Sequence, residues 1–321
     1  MALRLTTDRL VAEQEARPRR RATHTAQALV ASLRPQQWVK NTLVFGGLIF
    51  SRSLSQSEAV WLSLGAFLTF CMASSSVYLL NDLRDMEADR KHPVKCRRPL
   101  ASGALSPGLA TVTMVLLLLG SAFGAFLLHR PAFSVILSAY VLLNVAYSLG
   151  LKRVVLVDVM LVALGFVLRA VAGAAVIGVQ ASPWLVLCTL MLALFVGFGK
   201  RRHELTLLRS AAHGHRQSLE EYSVQFLDIM MTITGGAAVV TYALYTMAEE
   251  TVARFGSRYL ILSLPFVLYG VFRYLYLIHQ RAEGGDPARL FVADPPTLLN
   301  VALWLAVICF ILYGPRGWQL W

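Results

Sequence analysis

Long apolar runs separated by short polar intervals run the length of the chain. A helix that crosses the hydrocarbon core of a bilayer needs about 20 apolar residues, within roughly 17–25. Nine segments meet or approach that length: residues 38–52, 58–81, 107–128, 131–149, 154–178, 182–199, 224–247, 257–279 and 296–313. The first is short and carries Lys40 and Asn41 near its start, so it is expected to begin in the membrane interface with Trp38 as an anchor. No two-residue alternation, heptad or low-complexity repeat competes with this pattern. The expected fold class is an all-α integral membrane protein with nine transmembrane helices. One domain is expected over residues 31–321, behind a basic cytoplasmic tail at 1–30.

Composition agrees. Of 321 residues, 56% are hydrophobic and 15% charged, and mean hydropathy is +0.58, whereas soluble domains are about a quarter charged. The net charge of +12 does not call for nucleic acid, because in a membrane protein the placement of each Lys and Arg matters more than their sum. With the N-terminus inside, and with residues toward the span ends counted with the adjoining segment, 24 of the 30 Lys and Arg fall in inner segments and 5 in outer ones, with Arg169 alone deep inside a span. That asymmetry predicts a multi-pass protein of the bacterial inner membrane with a cytoplasmic N-terminus and an odd number of crossings. Residues 1–34 lack the apolar stretch and cleavage site of a signal peptide. Arg17-Pro18-Arg19-Arg20-Arg21 therefore reads as a solvated or headgroup-facing tail. Cys71, Cys96, Cys188 and Cys309 are widely spaced, which predicts neither a disulfide framework nor a zinc site.

Two inner intervals are long, 82–106 and 200–223, and charge and polarity concentrate there. The first opens on Tyr78-Leu79-Leu80-Asn81-Asp82-Leu83-Arg84-Asp85-Met86-Glu87-Ala88-Asp89. If the second span continues as a helix, Asp82, Asp85 and Asp89 share one face, with Tyr78 and Asn81 a turn earlier. Three carboxylates on one face repel unless cations lie between them. Hard oxygen ligands suit Mg²⁺, which takes few carboxylates and completes its shell with substrate phosphates. The array therefore reads as a bridge to a diphosphate, with Pro93 closing the helix. Lys91, Lys95, Arg97 and Arg98 follow at once, suited to hold the other side of a diphosphate. Three further basic groups belong to the same face: Lys200-Arg201-Arg202-His203-Glu204, Tyr147-Ser148 with Lys152-Arg153, and Arg34 to Asn41. Asp158 and Arg169 lie in the fifth span, 11 residues apart. That spacing prevents direct pairing along one helix and leaves packing and functional roles both open. His92 and His203 read as loop histidines or as acid–base groups.

The run Asn81-Asp82-x-x-Asp85-x-x-x-Asp89, with Arg90, His92-Pro93, Lys95, Arg98-Pro99 and Gly103, resembles the UbiA superfamily of intramembrane prenyltransferases over about residues 30–313. The resemblance implies nine helices and an active site on the cytoplasmic face. Usual members carry a second Asp-rich motif after helix six. Here the acids between 200 and 228 are Glu204, Glu220, Glu221 and Asp228, without that array. Gly199-Lys200-Arg201-Arg202-His203-Glu204-Leu205, Leu33-Arg34-Pro35-x-Gln37-Trp38-x-Lys40-Asn41 and Tyr147-Ser148-x-x-Leu151-Lys152 look instead like the decaprenyl-phosphate phosphoribosyltransferase branch.

That likeness implies a Mg²⁺-dependent transfer from 5-phosphoribosyl 1-diphosphate to a polyprenyl phosphate in the lipid bilayer, feeding cell-wall arabinan synthesis. It implies Asn81, Asp82, Asp85 and Asp89 as metal-holding residues, the three carboxylates being catalytic. It implies Lys40, Tyr78, Lys91, Lys95, Arg98, Tyr147, Lys152, Lys200, Arg201 and Arg202 as substrate-binding, with Glu204 orienting one of the cations. One acidic array with four basic groups suits a reaction that holds three phosphate-bearing groups together. Two other readings stand beside it. One is an aromatic or haem-type prenyltransferase, against which the missing second Asp motif argues. The other is a transporter or lipid-binding protein, against which the one-sided charge argues. Association into a homo-oligomer is left open.

Overall fold

The computed structural model describes residues 25–92, 94–210, 221–281, 290 and 293–314. Pro93, Glu220 and the basic run Arg17–Arg21 lie outside the described residues. The described chain is helical, with no strand. In chain order the helices are α1 (25–33), α2 (Phe45–Phe50), α3 (Ser57–Arg84), α4 (Met86–Lys91), α5 (Pro107–Leu127), α6 (Pro131–Leu149), α7 (Val157–Val176), α8 (Pro183–Ser210), α9 (Val224–Met247), α10 (Glu249–Phe255), α11 (Leu264–Gln280) and α12 (Pro295–Tyr313). Proline at the first turn of α6, α11 and α12 starts those helices, where its missing N–H is not needed. Ser223 accepts from Phe226 N at 3.0 Å to cap α9.

Eight helical segments among the described residues are long and apolar enough to cross a membrane, from Ser57–Arg84 to Pro295–Tyr313. They make this a multi-pass membrane protein, since a helix satisfies its own backbone groups where no water can. Only 17% of the apolar window of α5 is buried within the protein, and Leu116, Leu119, Phe123 and Phe126 stand exposed along it. Such a surface suits lipid and not water. Two expectations change. The first expected span, 38–52, forms a ten-residue 3-10 helix, Pro35–Val44, and then the six-residue α2. Lys200 to Glu204, expected to open a loop, continue α8 to Ser210, because nothing breaks the helix where its apolar run ends.

The chain divides into two compact units: Met1–Pro35 with Met72–Leu119, and Gln36–Cys71 with Gly120–Trp321. In the first, Ala28, Leu79, Leu100, Leu105 and Ala110 form a buried apolar cluster. The serines of α3 fasten it: Ser75 Oγ donates to Leu33 O at 2.9 Å and Ser76 Oγ to Met114 O at 3.0 Å. In the second unit α8 packs against α7 and α9, and α7 against α6 and α2. The closest approach is backbone to backbone. A Cβ on Gly173 would stand 1.9 Å from Val44 O, and one on Gly47 2.7 Å from Ala174 N. Small residues permit this contact between membrane helices.

Gly173→Ala is expected to lower stability by about 2–3 kcal/mol through overpacking. Gly236→Ala, whose Cβ enters open space, should be neutral or slightly stabilising. Thermal unfolding in detergent compares the two.

Asp294 supplies a pH test. It caps α12 through Thr297 N at 3.0 Å and pairs with Arg273 at 2.8 Å. The Arg273 hydrogen bond, ahead of those from Thr297, holds its carboxyl well below the usual range. A depressed pKa gives stability that is present above the unfolded value, about 3.9, and is lost as pH falls toward the folded one. Asp294→Asn should therefore melt below wild type at pH 7, with the gap closing below about pH 4.

Candidate functional site

In the first unit the acidic array sits where α3 ends. Asp85 interrupts the helix at φ −92° and ψ 2°. The backbone bonds Asp85 N to Asn81 O (2.9 Å) and Asp89 N to Asp85 O (2.7 Å) carry the ladder across the break. Asp82 and Asp89, two turns apart, therefore keep a common side. Both are buried, at 3% and 5% exposure, and both accept from one atom: Arg98 Nη1 stands 3.1 Å from Asp82 Oδ1 and 2.6 Å from Asp89 Oδ2. Arg34 Nη2 meets the same Asp82 oxygen at 2.6 Å, and its guanidinium lies 5.2 Å from the centre of the Tyr78 ring. The half-buried Asp85 occupies the turn between, and the half-buried Asn81 directly precedes Asp82. His92 Nδ1 accepts from the amides of Val94 (3.2 Å) and Lys95 (3.3 Å) and so shapes the basic turn. Lys91 is exposed and Lys95 half-buried. Among the described residues, no three His, Cys, Asp or Glu side chains gather tightly enough to hold a metal ion unaided.

The second unit builds its polar cluster around Arg201, on the last turns of α8. Its Nε lies 2.7 Å from Asp158 Oδ2, its Nη1 donates to Glu204 Oε2 at 2.5 Å, and its Nη2 donates to Tyr147 Oη at 3.3 Å. Asp158 is fully buried and Arg201 4% exposed. Tyr222 extends the chain of bonds, donating to Asp158 Oδ1 at 3.0 Å and accepting from Leu156 N at 2.6 Å. Burial pushes the Tyr222 phenol up to about 12, so it remains a donor at neutral pH. Leu156 has φ +65°, a left-handed conformation uncommon for a side chain other than glycine, and the phenol takes up its amide. Lys40 lies within electrostatic range of Lys200, as do Arg201, Glu204 and Tyr147. Lys152 is buried in the 3-10 turn Leu151–Arg153. Arg202 stands against a different carboxylate, Asp228, which His279 also meets at 3.2 Å.

Asp158 and Arg169 each have polar partners on neighbouring elements. Arg169 donates to Asn41 Oδ1 (2.8 Å), Gly165 O (2.9 Å) and Tyr140 Oη (2.7 Å). It also stacks 4.6 Å from the Tyr140 ring centre. These are bonds that hold the 3-10 segment and α6 to α7.

Residues 42–294 match the model of the UbiA prenyltransferase family. The chain belongs to that family. A UbiA homologue from Archaeoglobus fulgidus bound to GPP and Mg2+ has the same fold, with a TM-score of 0.67 and 18% identity over 89% of this chain and 99% of its own. Among UbiA relatives, the decaprenyl-phosphate phosphoribosyltransferase of Corynebacterium glutamicum is 32% identical, over 90% of this chain and 87% of its own. That of Mycobacterium tuberculosis is also 32% identical, over 87% of this chain and 92% of its own.

Within this UbiA chain the structure gathers the expected residues into two sets. Tyr78, Asp82, Asp89 and Arg98 form one, with Arg34. Lys40, Tyr147, Lys200, Arg201 and Glu204 form the other, with Asp158 and Tyr222. Arg201 and Arg202, read from the sequence as phosphate-facing cations, each stand against carboxylates. Tyr222 was not foreseen, because a tyrosine after a polar interval carries no local signal. Asp158 did carry one, since a carboxylate inside a membrane span needs a partner.

Asp158→Ala should destabilise the protein by about 3–5 kcal/mol, because it leaves a buried guanidinium short of a counter-charge. An Asp158→Leu, Arg201→Met double variant should recover much of that loss. Thermal unfolding of the single and double variants measures the difference.

Proposed function

We propose that this protein transfers 5-phosphoribose from 5-phosphoribosyl 1-diphosphate to a polyprenyl phosphate and releases diphosphate. The observation that carries this reading is the likeness, over about nine-tenths of the chain, to enzymes named decaprenyl-phosphate phosphoribosyltransferase. The local chemistry supports it. The second unit offers Lys40, Lys152 and Lys200 to phosphate, near a segment where a prenyltransferase of the usual kind carries carboxylates.

Asp82 and Asp89 fit Mg²⁺. Their hard oxygens already converge on one guanidinium nitrogen, and Mg²⁺ takes one or two protein carboxylates before phosphates complete its shell. Asn81 and Asp85 on the same turn would complete the set. When bound, Mg²⁺ would neutralise the diphosphate leaving group. Arg34 and Arg98 balance the carboxylates and, with Lys91, Lys95 and Tyr78, hold the diphosphate. The C1–O bond of the ribose breaks with its electron pair on diphosphate. An oxygen of the polyprenyl phosphate forms the new bond to C1. That oxygen is anionic near neutral pH, so no strong general base is needed, and catalysis is mainly positioning and electrostatics.

The polyprenyl chain enters from lipid, and the reaction is placed on the cytoplasmic face of the bacterial inner membrane, with the N-terminus inside. The Lys and Arg asymmetry supports that orientation. Nine crossings remain compatible with a short first segment. At about 2 Å per residue for 3-10 helix and 1.5 Å for α-helix, Pro35–Phe50 contributes about 29 Å of rise, near the 30 Å of the hydrocarbon core. Residues 31–321 are taken as the catalytic domain and 1–30 as a basic tail.

The test is an assay on detergent-purified protein with radiolabelled phosphoribosyl diphosphate and a polyprenyl phosphate, run beside a prenyl diphosphate with 4-hydroxybenzoate. Labelled lipid is expected in the first tube alone, lost on chelation and lost in Asp85→Ala, which should still insert in the membrane. A prenylated ring in the second tube, or full activity of Asp85→Ala, overturns the reading.

A further inference from the structure

Arg98 stands between the two buried acids of the first unit. Its Nη1 lies 3.1 Å from Asp82 Oδ1 and 2.6 Å from Asp89 Oδ2, so a metal bridging the same two oxygens would fall on that nitrogen. The charges there are already matched. Two buried carboxylates face two guanidiniums, with Arg34 Nη2 2.6 Å from the shared Asp82 oxygen. A divalent cation added alone would leave two positive charges in excess where water is scarce, which is costly. A diphosphate carries the negative charge that restores the balance. Arg98 is also placed to move. Its side chain is 27% exposed, against 3% and 7% for those of Asp82 and Asp89. Its backbone is held from both sides, the N–H donating to Lys95 O at 2.9 Å and the carbonyl accepting from Ser102 N at 2.9 Å. Only the side chain has to swing, and a guanidinium binds phosphate oxygens through the same fork that binds carboxylates.

We propose that Arg98 holds the metal position between Asp82 and Asp89 and gives it up only to a metal that arrives with a diphosphate, which becomes the new partner of the guanidinium. Metal and diphosphate then bind cooperatively, each raising the affinity for the other by the same factor. This rests on the reading of the acidic array as the place of Mg²⁺ and the donor's diphosphate. Arg98 serves first as the counter-ion of two buried carboxylates and then as a ligand of the leaving group, where negative charge builds as the C1–O bond breaks. Arg34 does not share the role. It reaches Asp82 from one side, and its guanidinium rests 5.2 Å from the Tyr78 ring centre.

The experiment uses the full chain in detergent and two readouts other than turnover. Mn²⁺, which shares the octahedral oxygen preference of Mg²⁺, is titrated alone and followed by EPR. Wild type is expected to bind it weakly, and Arg98→Met, which keeps bulk without charge, about 5- to 150-fold more tightly, the usual span of such couplings. Arg98→Lys should fall between the two and guards against a folding failure of the first variant. Arg34→Met should gain clearly less than Arg98→Met. Thermal unfolding is then recorded with Mg²⁺, with diphosphate and EDTA, and with Mg²⁺ and diphosphate together. In wild type the joint shift should exceed the sum of the separate ones, whereas in Arg98→Met Mg²⁺ alone should stabilise. No gain in either Arg98 variant, an equal gain in Arg34→Met, or additive shifts in wild type overturns the proposal and leaves the transfer reading intact. No wild-type response to Mg²⁺ and diphosphate together overturns the assignment of the array to metal and diphosphate, and this proposal with it. Transfer of label from phosphoribosyl diphosphate by the same preparation tests the transfer reading separately, and its absence beside cooperative metal binding overturns that reading alone.

Discussion

A guanidinium buried among apolar helices must be met by acceptors on every side, and Arg201 shows how much structure that demand organises. Leaving water costs such a charge several kcal/mol, and the cost is offset only when good geometry brings opposite charges and hydrogen bonds to it. Asp158 on α7, Glu204 on α8 and Tyr147 on α6 meet it from three helices. Tyr222, just before α9, holds Asp158 in turn. One cation therefore fixes the mutual register of four elements in the second unit. The packing of α8 against α7 and α9 supplies apolar area, and this bond chain fixes the register of that packing.

The same logic governs the acidic array of the first unit on a smaller scale. Asp82 and Asp89 are buried a short way from each other, and such carboxylates are tolerable because Arg98 and Arg34 stand between and beside them. Arg34 comes from the end of α1, Arg98 from the turn after α4, and the carboxylates from α3 and α4. Each polar centre thus draws its ligands from several elements, and each is set by neutralising charge where water is scarce.

Arg169 follows a third course. It is buried at 5% exposure and is met by a carbonyl, an amide and a phenol, with aromatic faces from Tyr140 and Phe166. Its bond to Asn41 fastens the 3-10 segment one turn away from the place where Gly173 and Val44 pack backbone to backbone. The segment that carries Lys40 is therefore fixed both by the absence of side chains and by a charged tether.

The helical membrane class, the place of most spans and the acidic run after α3 were legible along the chain because each is local. A run of about 20 apolar residues declares a span, and Asn81 to Asp89 declare their spacing by themselves. Legible also was that Asp158 and Arg169, 11 residues apart on one helix, needed partners elsewhere. What tertiary structure decided is who those partners are. No periodicity pairs Arg201 with Asp158 across 43 positions, brings Tyr222 to Leu156, or places Arg98 between Asp82 and Asp89, because such contacts follow from the packing of whole helices. The form of the short first segment was hidden for the same reason. Its apolar residues suggest a span and do not signal the 3-10 form, and its close seat on α7 depends on Gly173 and Gly47 having no side chains at the contact. Local sequence sets what a segment can be, and the burial of charge decides what it meets.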